Sequence, residues 1–202
     1  MLPRFESASQ TAGPYVHIGL VPSRAGIEQS PLVSHDLCLQ GVPASALAIE
    51  ISGQVLDGSG SPVQDAVVEI WQADHCGTYH PSTMSGFRGW GRSAIDQDNG
   101  RYFFRTIKPG SVVCRDGVSM APHLAFWIVA RGINIGLNTR MYFPEDSDLH
   151  QADPVLNTIE IKMRRTTLIA GRADDPASES ASRKYHFDIV LQGERETVFF
   201  DI

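Results

Sequence analysis

The sequence is poor in the residues that announce common sites. Its three cysteines, Cys38, Cys76 and Cys114, form no CxxC pair, which argues against a zinc site built on thiolates. They are evenly spaced, yet their flanks ("DLCLQ", "DHCGT", "VVCRD") share nothing further, so the spacing is chance rather than a repeat. Basic residues are not in excess. A net charge of −6 leaves no surplus to offset phosphates, which excludes nucleic acid as the expected partner. No apolar run reaches the length of a bilayer span, and no membrane partner is expected. The start, "MLPRFESASQTAGPYVH", has no apolar h-region, so a standard export signal is not expected. Reduced thiols in a cytoplasm are the expectation. There is no GxSxG, no P-loop and no HExxH, and "GWGR" is only a fragment of a dinucleotide fingerprint.

What is present is a soluble composition, 42% hydrophobic and 20% charged, in a chain long enough for one domain with a proper core. Residues 1–47 are irregular and punctuated by Pro3, Pro14, Pro22, Pro31 and Pro43. The piece "GPYVHIGLVP" is too apolar for a free tail and reads as an arm that wraps a partner. From Ala48 the pattern turns to strands. "AIEISGQVLD" alternates, placing Ile49, Ile51, Gly53 and Val55 on one face. "DAVVEIWQAD", "GRYFFRTIKPG", the doubly apolar "HLAFWIVAR", the short "TRMYFPED" and "KYHFDIVLQG" (Tyr185, Phe187, Ile189 and Leu191 on one face) follow, separated by turn signals, and "ETVFFDI" closes the chain. Only "DPVLNTIEIKMRRTTLIAG" has room for helix, with weak periodicity. Short strands and frequent turns predict an all-β chain: a β-sandwich core over 48–202 with long wrapping loops, and an extended N-terminal arm over 1–47.

Three places could carry chemistry. "ADHCGTYHP" gathers Asp74, His75, Cys76, Tyr79 and His80 in one loop; it reads either as a ligand cluster or, more simply, as a polar loop after a strand. His123 sits in the apolar run "MAPHLAFWIVAR". A strand presents i and i+2 on one face, so an H-x-H pair can grip a metal there. Here the second place is Ala125, which has no donor, and a histidine hydrogen-bonded within the core is the better reading. Arg131 follows that strand, and its permanent charge needs either an acidic neighbour or an anionic substrate group.

Together "QTAGPYVHIGL", "ISGQVLDGSGSPVQDAVVEIWQAD", "GWGRSAIDQDNGRYFFRTIKPG", "APHLAFWIVARGINIGLNTRMYF" and "YHFDIVLQGERETVFFDI" resemble the intradiol ring-cleavage dioxygenases, specifically the α chains of those built from α and β chains of common ancestry. The resemblance runs from about Gln10 to Ile202. It implies an enzyme that opens protocatechuate between its two hydroxyls with O2, giving 3-carboxy-cis,cis-muconate in the β-ketoadipate pathway. It implies a non-haem Fe(III) held in the β chain by two tyrosines and two histidines. Followed onto this sequence, those ligand positions keep Tyr79 and His123, while the second tyrosine falls at or near Val112 and the second histidine at Ala125. This chain is therefore expected to hold no metal, Tyr79 and His123 being relics; Cys114 is a conceivable but poor substitute. The resemblance also implies a partner β chain in a hetero-oligomer of αβ units, with Thr11, Gly13, Pro14, Tyr15 and Arg131 of this chain lining the substrate pocket and no catalytic residue of its own. Two other readings stay open: a self-sufficient metal-binding homo-oligomer, and a non-catalytic transthyretin-like module.

Overall fold

The computed structural model describes residues 10–28, 34–38, 41–79, 87–114, 116–173 and 182–201. Among them strand dominates and helix is confined to short pieces. The twelve strands are β1 (Ala48–Gly53), β2 (Val55–Leu56), β3 (Val67–Trp71), β4 (Trp90–Ala94), β5 (Tyr102–Ile107), β6 (Val112–Val113), β7 (Ser119–Met120), β8 (His123–Val129), β9 (Leu137–Tyr142), β10 (Gly171–Arg172), β11 (Arg183–His186) and β12 (Ile189–Val190). They form two four-stranded sheets, ordered β10-β11-β1-β5 and β4-β3-β8-β9, and two two-stranded ribbons, β12-β2 and β6-β7. The α-helices among the described residues are α1 (Val16–Leu20), α2 (Ser147–His150) and α3 (Lys162–Arg165).

The alternation expected at β1 is observed. Ile49, Ile51 and Gly53 are buried while Ala48, Glu50 and Ser52 are half-buried. One core joins the two larger sheets: Ile49, Ile51 and Phe104 from the first pack with Val68, Ile70, Phe126 and Ile128 from the second. The rings of Phe104 and Phe126 meet edge to face at 6.4 Å, and Phe126 lies 5.3 Å from Phe187, geometries that add to the burial of apolar area. At the end of β9, Glu145 accepts from Tyr185 Oη at 2.6 Å and Lys108 Nζ at 2.9 Å. Burial alone would raise this carboxyl, but those hydrogen bonds hold it below the ordinary value.

Several elements differ from the sequence reading; "KYHFDIVLQG", read as one strand, is split into β11 and β12 in separate sheets. β4 lies in "GWGRSA", where glycine and arginine interrupt the apolar pattern; its strand character comes from pairing with β3 along Val67–Trp71. The arm contains α1, whose Val16, with Leu20 and Ala12, packs on Val21, Val67 and Val129. The helical room after Asp153 is filled by separate short turns, Leu156–Thr158, Lys162–Arg165 and Thr166–Leu168, rather than one helix.

Candidate functional site

The site is built on the outer face of the β4-β3-β8-β9 sheet. Alternation along β8 turns Leu124, Phe126 and Ile128 to the core, so His123, Ala125 and Trp127 share the other face. Register then fixes their neighbours. One row across the sheet reads Trp90, Trp71, Ala125, Arg140, and the next reads Arg92, Glu69, Trp127, Asn138. Beyond them, Val67 and Val129 lie under α1. The face is thus divided: the arm covers one end, and a cavity of about 540 Å³ opens at the other, lined by Trp71, Trp90, Trp127, Tyr79, Ala125 and Asn138 among others.

His123 is 2% exposed, and its Nδ1 lies 2.8 Å from the carbonyl oxygen of Ala121. As a donor to that carbonyl the ring keeps one nitrogen occupied. Burial, reinforced by the nearby Arg140 charge, depresses its pKa to about 4, so it is neutral at physiological pH. Tyr142, its partner on β9, stacks on it at 5.7 Å. The Tyr142 hydroxyl reaches Asp153 at 3.3 Å. Asp153 is fully buried and accepts from the backbone N–H groups of Ala121 (2.8 Å), Val155 (2.9 Å) and Leu156 (2.8 Å). His123 therefore belongs to a satisfied internal network.

Tyr79 stands at the cavity wall, and burial raises its hydroxyl pKa even though Arg140 acts in the opposite sense. Val112 pairs with Met120 across β6 and β7, and Met120 Sδ receives Arg140 Nη1 at 3.3 Å. Arg140 thus lies near the implied ligand set: it pairs with Ala125, its charge acts on Tyr79 and His123, and it bonds Met120, the partner of Val112. Two of the four, Val112 and Ala125, have no donor atom, and an arginine, Arg140, is paired with the place of the second histidine. Iron(III) requires anionic oxygen and imidazole donors and is repelled by a fixed cation; these residues do not fit it.

The loop cluster is a turn. Asp74 Oδ1 accepts from the N–H of Cys76 at 2.8 Å and of Thr78 at 2.9 Å, and His75 Nε2 lies 2.9 Å from Ser45 Oγ. Asp74, His75 and Cys76 offer ligand atoms within 4.8 Å of one another, but the carboxylate already serves the turn. Tyr79 lines the cavity beyond it, and His80 lies outside the described residues.

The remaining candidates come together elsewhere. Ala12 N–H donates to the Ile133 carbonyl at 3.0 Å, and Gly132 N–H donates to the Ala12 carbonyl at 3.0 Å. These two bonds lay "TAGPY" against "ARGIN". Gly132 adopts φ +89°, a conformation glycine enters without a Cβ penalty, and so permits the turn. Thr11, Gly13, Pro14 and Tyr15 are exposed there, Tyr15 by 75%. The Arg131 side chain is 67% exposed and only 3.6 Å from Asp65 at its nearest. Sequence reasoning missed Arg140, because nothing local to "NTRMYF" marks it; only the β8–β9 register shows what it faces.

The model of the family described as Dioxygenase matches residues 23–193, and the chain belongs to the intradiol dioxygenase family. It is 44% identical over 200 residues to the protocatechuate 3,4-dioxygenase alpha chain of Pseudomonas putida, covering 97% of this chain and 96% of that one. It is 33% identical to the protocatechuate 3,4-dioxygenase beta chain of Burkholderia cepacia, over 85% of this chain and 77% of that one. The solved catechol 1,2-dioxygenase of Acinetobacter radioresistens shares the fold, with a TM-score of 0.61 at 19% identity over 93% of this chain and 72% of that one.

Proposed function

We propose that the chain is the α subunit of a protocatechuate 3,4-dioxygenase and works only in complex with a β chain. The reaction breaks the ring bond between the two hydroxyl-bearing carbons of protocatechuate. Both atoms of O2 enter the product, 3-carboxy-cis,cis-muconate. In this reading the two large sheets are the layers of a sandwich, residues 1–47 form an arm reaching toward the partner, and the αβ complex is cytoplasmic. The non-haem Fe(III) belongs to the β chain, and this chain contributes a wall of the substrate pocket.

One observation carries the reading: the pairing of Ala12 with Gly132 and Ile133, which brings Thr11, Gly13, Pro14, Tyr15 and Arg131 to one exposed patch. Such a patch suits a pocket completed by another chain. Gly13 lets a ring approach the backbone, and a Cβ there would meet nothing within 4 Å. Tyr15 can donate a hydrogen bond from its hydroxyl to a substrate or to a partner ligand. Arg131 supplies a charge for the substrate carboxylate.

The test is expression of the chain alone and together with a β chain, followed by iron content and visible absorbance. An iron-free, colourless lone chain and a coloured, active complex support the proposal. Stoichiometric iron and colour in the lone chain overturn it.

A further inference from the structure

The turn after β3 brings three unlike donors together. Asp74, His75 and Cys76 each offer a ligand atom, and the three atoms lie within 4.8 Å of one another. The backbone that carries them is fixed on both sides. Gln72 is buried and donates from Nε2 to the carbonyls of Ala73 at 3.0 Å and Ile107 at 2.9 Å. The Asp74 carbonyl accepts from Gly77 N–H at 3.0 Å and from Gly110 N–H at 2.9 Å. Gly77 adopts φ +81°, and a Cβ there would run into the Ser111 carbonyl, so the turn is seated against Gly110 and Ser111. The N–H groups of Cys76 and Thr78 hold the Asp74 carboxylate in place through Oδ1. A carboxylate has two oxygens and about four lone-pair sites, so this duty does not exhaust it as a ligand.

His75 supplies a second, independent observation. Its Nε2 lies 2.9 Å from Ser45 Oγ. With Nε2–H donating to that hydroxyl, the ring's lone pair is on Nδ1. Nδ1 is buried and has no hydrogen-bond partner among the described residues. A buried nitrogen left in that way is costly. An imidazole with one nitrogen pinned by a hydrogen bond and the other unpartnered is the arrangement that metal-bound histidines share. Cys76 is a free, exposed thiol, so the cluster is reached from solvent.

We propose that this turn is a Zn2+ site, with His75 Nδ1, Cys76 Sγ and a carboxylate oxygen of Asp74 as ligands and Ser45 as the positioning residue for the imidazole. Sulfur and imidazole favour Zn2+ over Mg2+ and Ca2+, which take oxygen ligands. A single thiolate beside an imidazole and a carboxylate needs no CxxC pair, and three protein ligands leave a fourth position for water. As the sulfur binds the metal, its thiol proton passes to solvent. The proposal does not rest on the subunit reading, because all four residues belong to this chain.

The test uses the full chain, in whatever complex it is purified, with its thiols reduced and bound metal removed by a chelator that is then dialysed away. Co2+ is added as a coloured stand-in for Zn2+ and read as a difference spectrum against the metal-free sample. A saturable thiolate-to-cobalt charge-transfer band, bleached by Zn2+, is expected. Cys76→Ser is expected to lose the band and, the side chain being exposed, to keep the melting temperature of the metal-free chain. Ser45→Ala is expected to weaken Co2+ about tenfold, as loss of a hydrogen bond behind a ligating histidine does, and His75→Ala to weaken it further. Absence of the band in the wild type, its persistence in Cys76→Ser, or unchanged affinity in His75→Ala overturns the proposal. If His75→Ala does not fold, Cys76→Ser and Ser45→Ala decide.

Discussion

Arg140 stands directly across the β8–β9 pair from Ala125. The position that the family resemblance assigns to a second histidine ligand holds Ala125 here, and a permanent cation is paired with it. Placing donors at the implied ligand positions would therefore leave that cation among them.

The double substitution Val112→Tyr, Ala125→His is expected to leave the chain iron-free and colourless, because the guanidinium stays among the donors. Adding Arg140→Met is expected to raise the iron content. Metal analysis of the purified variants checks both; stoichiometric iron in the double variant would show that Arg140 does not exclude the metal.

His123 makes stability depend on acid. Its folded pKa is depressed to about 4, chiefly by burial, against an unfolded value of about 6.5. Between these values the unfolded chain binds the proton more readily, so stability is complete above about pH 6.5 and is lost as pH falls toward about 4. The loss attributable to this residue is about 3 kcal/mol. Urea midpoints from pH 7 to 4 for the wild type and for His123→Asn should diverge, the variant showing the shallower fall.

Arg131→Ala is expected to change stability by less than about 0.5 kcal/mol, because its side chain is 67% exposed and lies no nearer than 3.6 Å to Asp65. In the αβ complex the same substitution is expected to lower kcat/KM for protocatechuate by about tenfold to a hundredfold. Steady-state kinetics decide; unchanged kinetics remove Arg131 from the pocket.

Arg92 ties the arm to the sheet. It pairs with Glu69 and donates to the Leu20 carbonyl at 2.7 Å from Nη1. Arg92→Ala is expected to cost about 1–3 kcal/mol, since it leaves a half-buried carboxylate and a carbonyl short of partners. It should also speed proteolytic cleavage within residues 10–28, measured against the cleavage of the remaining chain.

Gly53→Ala is expected to destabilise by about 2 kcal/mol or more. A Cβ there would run into the Phe187 carbonyl and would lie 2.8 Å from the Tyr102 hydroxyl, which itself donates to that carbonyl. Thermal unfolding of the variant measures it.

Much of the fold is legible in the chain because strand burial has a local signature. The alternation of Ile49, Ile51 and Gly53, and of Tyr185, Phe187 and Ile189, places these residues in the core, as observed. β4 was not legible, since Gly91 and Arg92 break its apolar pattern and its strand character derives from β3. α1 was missed for a similar reason: five residues are too few to show a period, and the helix is held by Val67 and Val129. His123 was legible as a core histidine because the residue two positions on, Ala125, has no donor.

The sequence by itself determined that the chain is built of strands, that it resembles the intradiol dioxygenases and that two of the positions this resemblance implies as ligands hold residues without donors, because each of these is a matter of residue identity and local order. Only the tertiary structure decided what stands in those positions' place. Arg140 is fifteen residues beyond Ala125 in the chain and meets it through strand register. "TAGPY" and "ARGIN" are far apart in sequence and are joined by two backbone hydrogen bonds. Such juxtapositions follow from backbone pairing, which side-chain identity constrains but does not spell out.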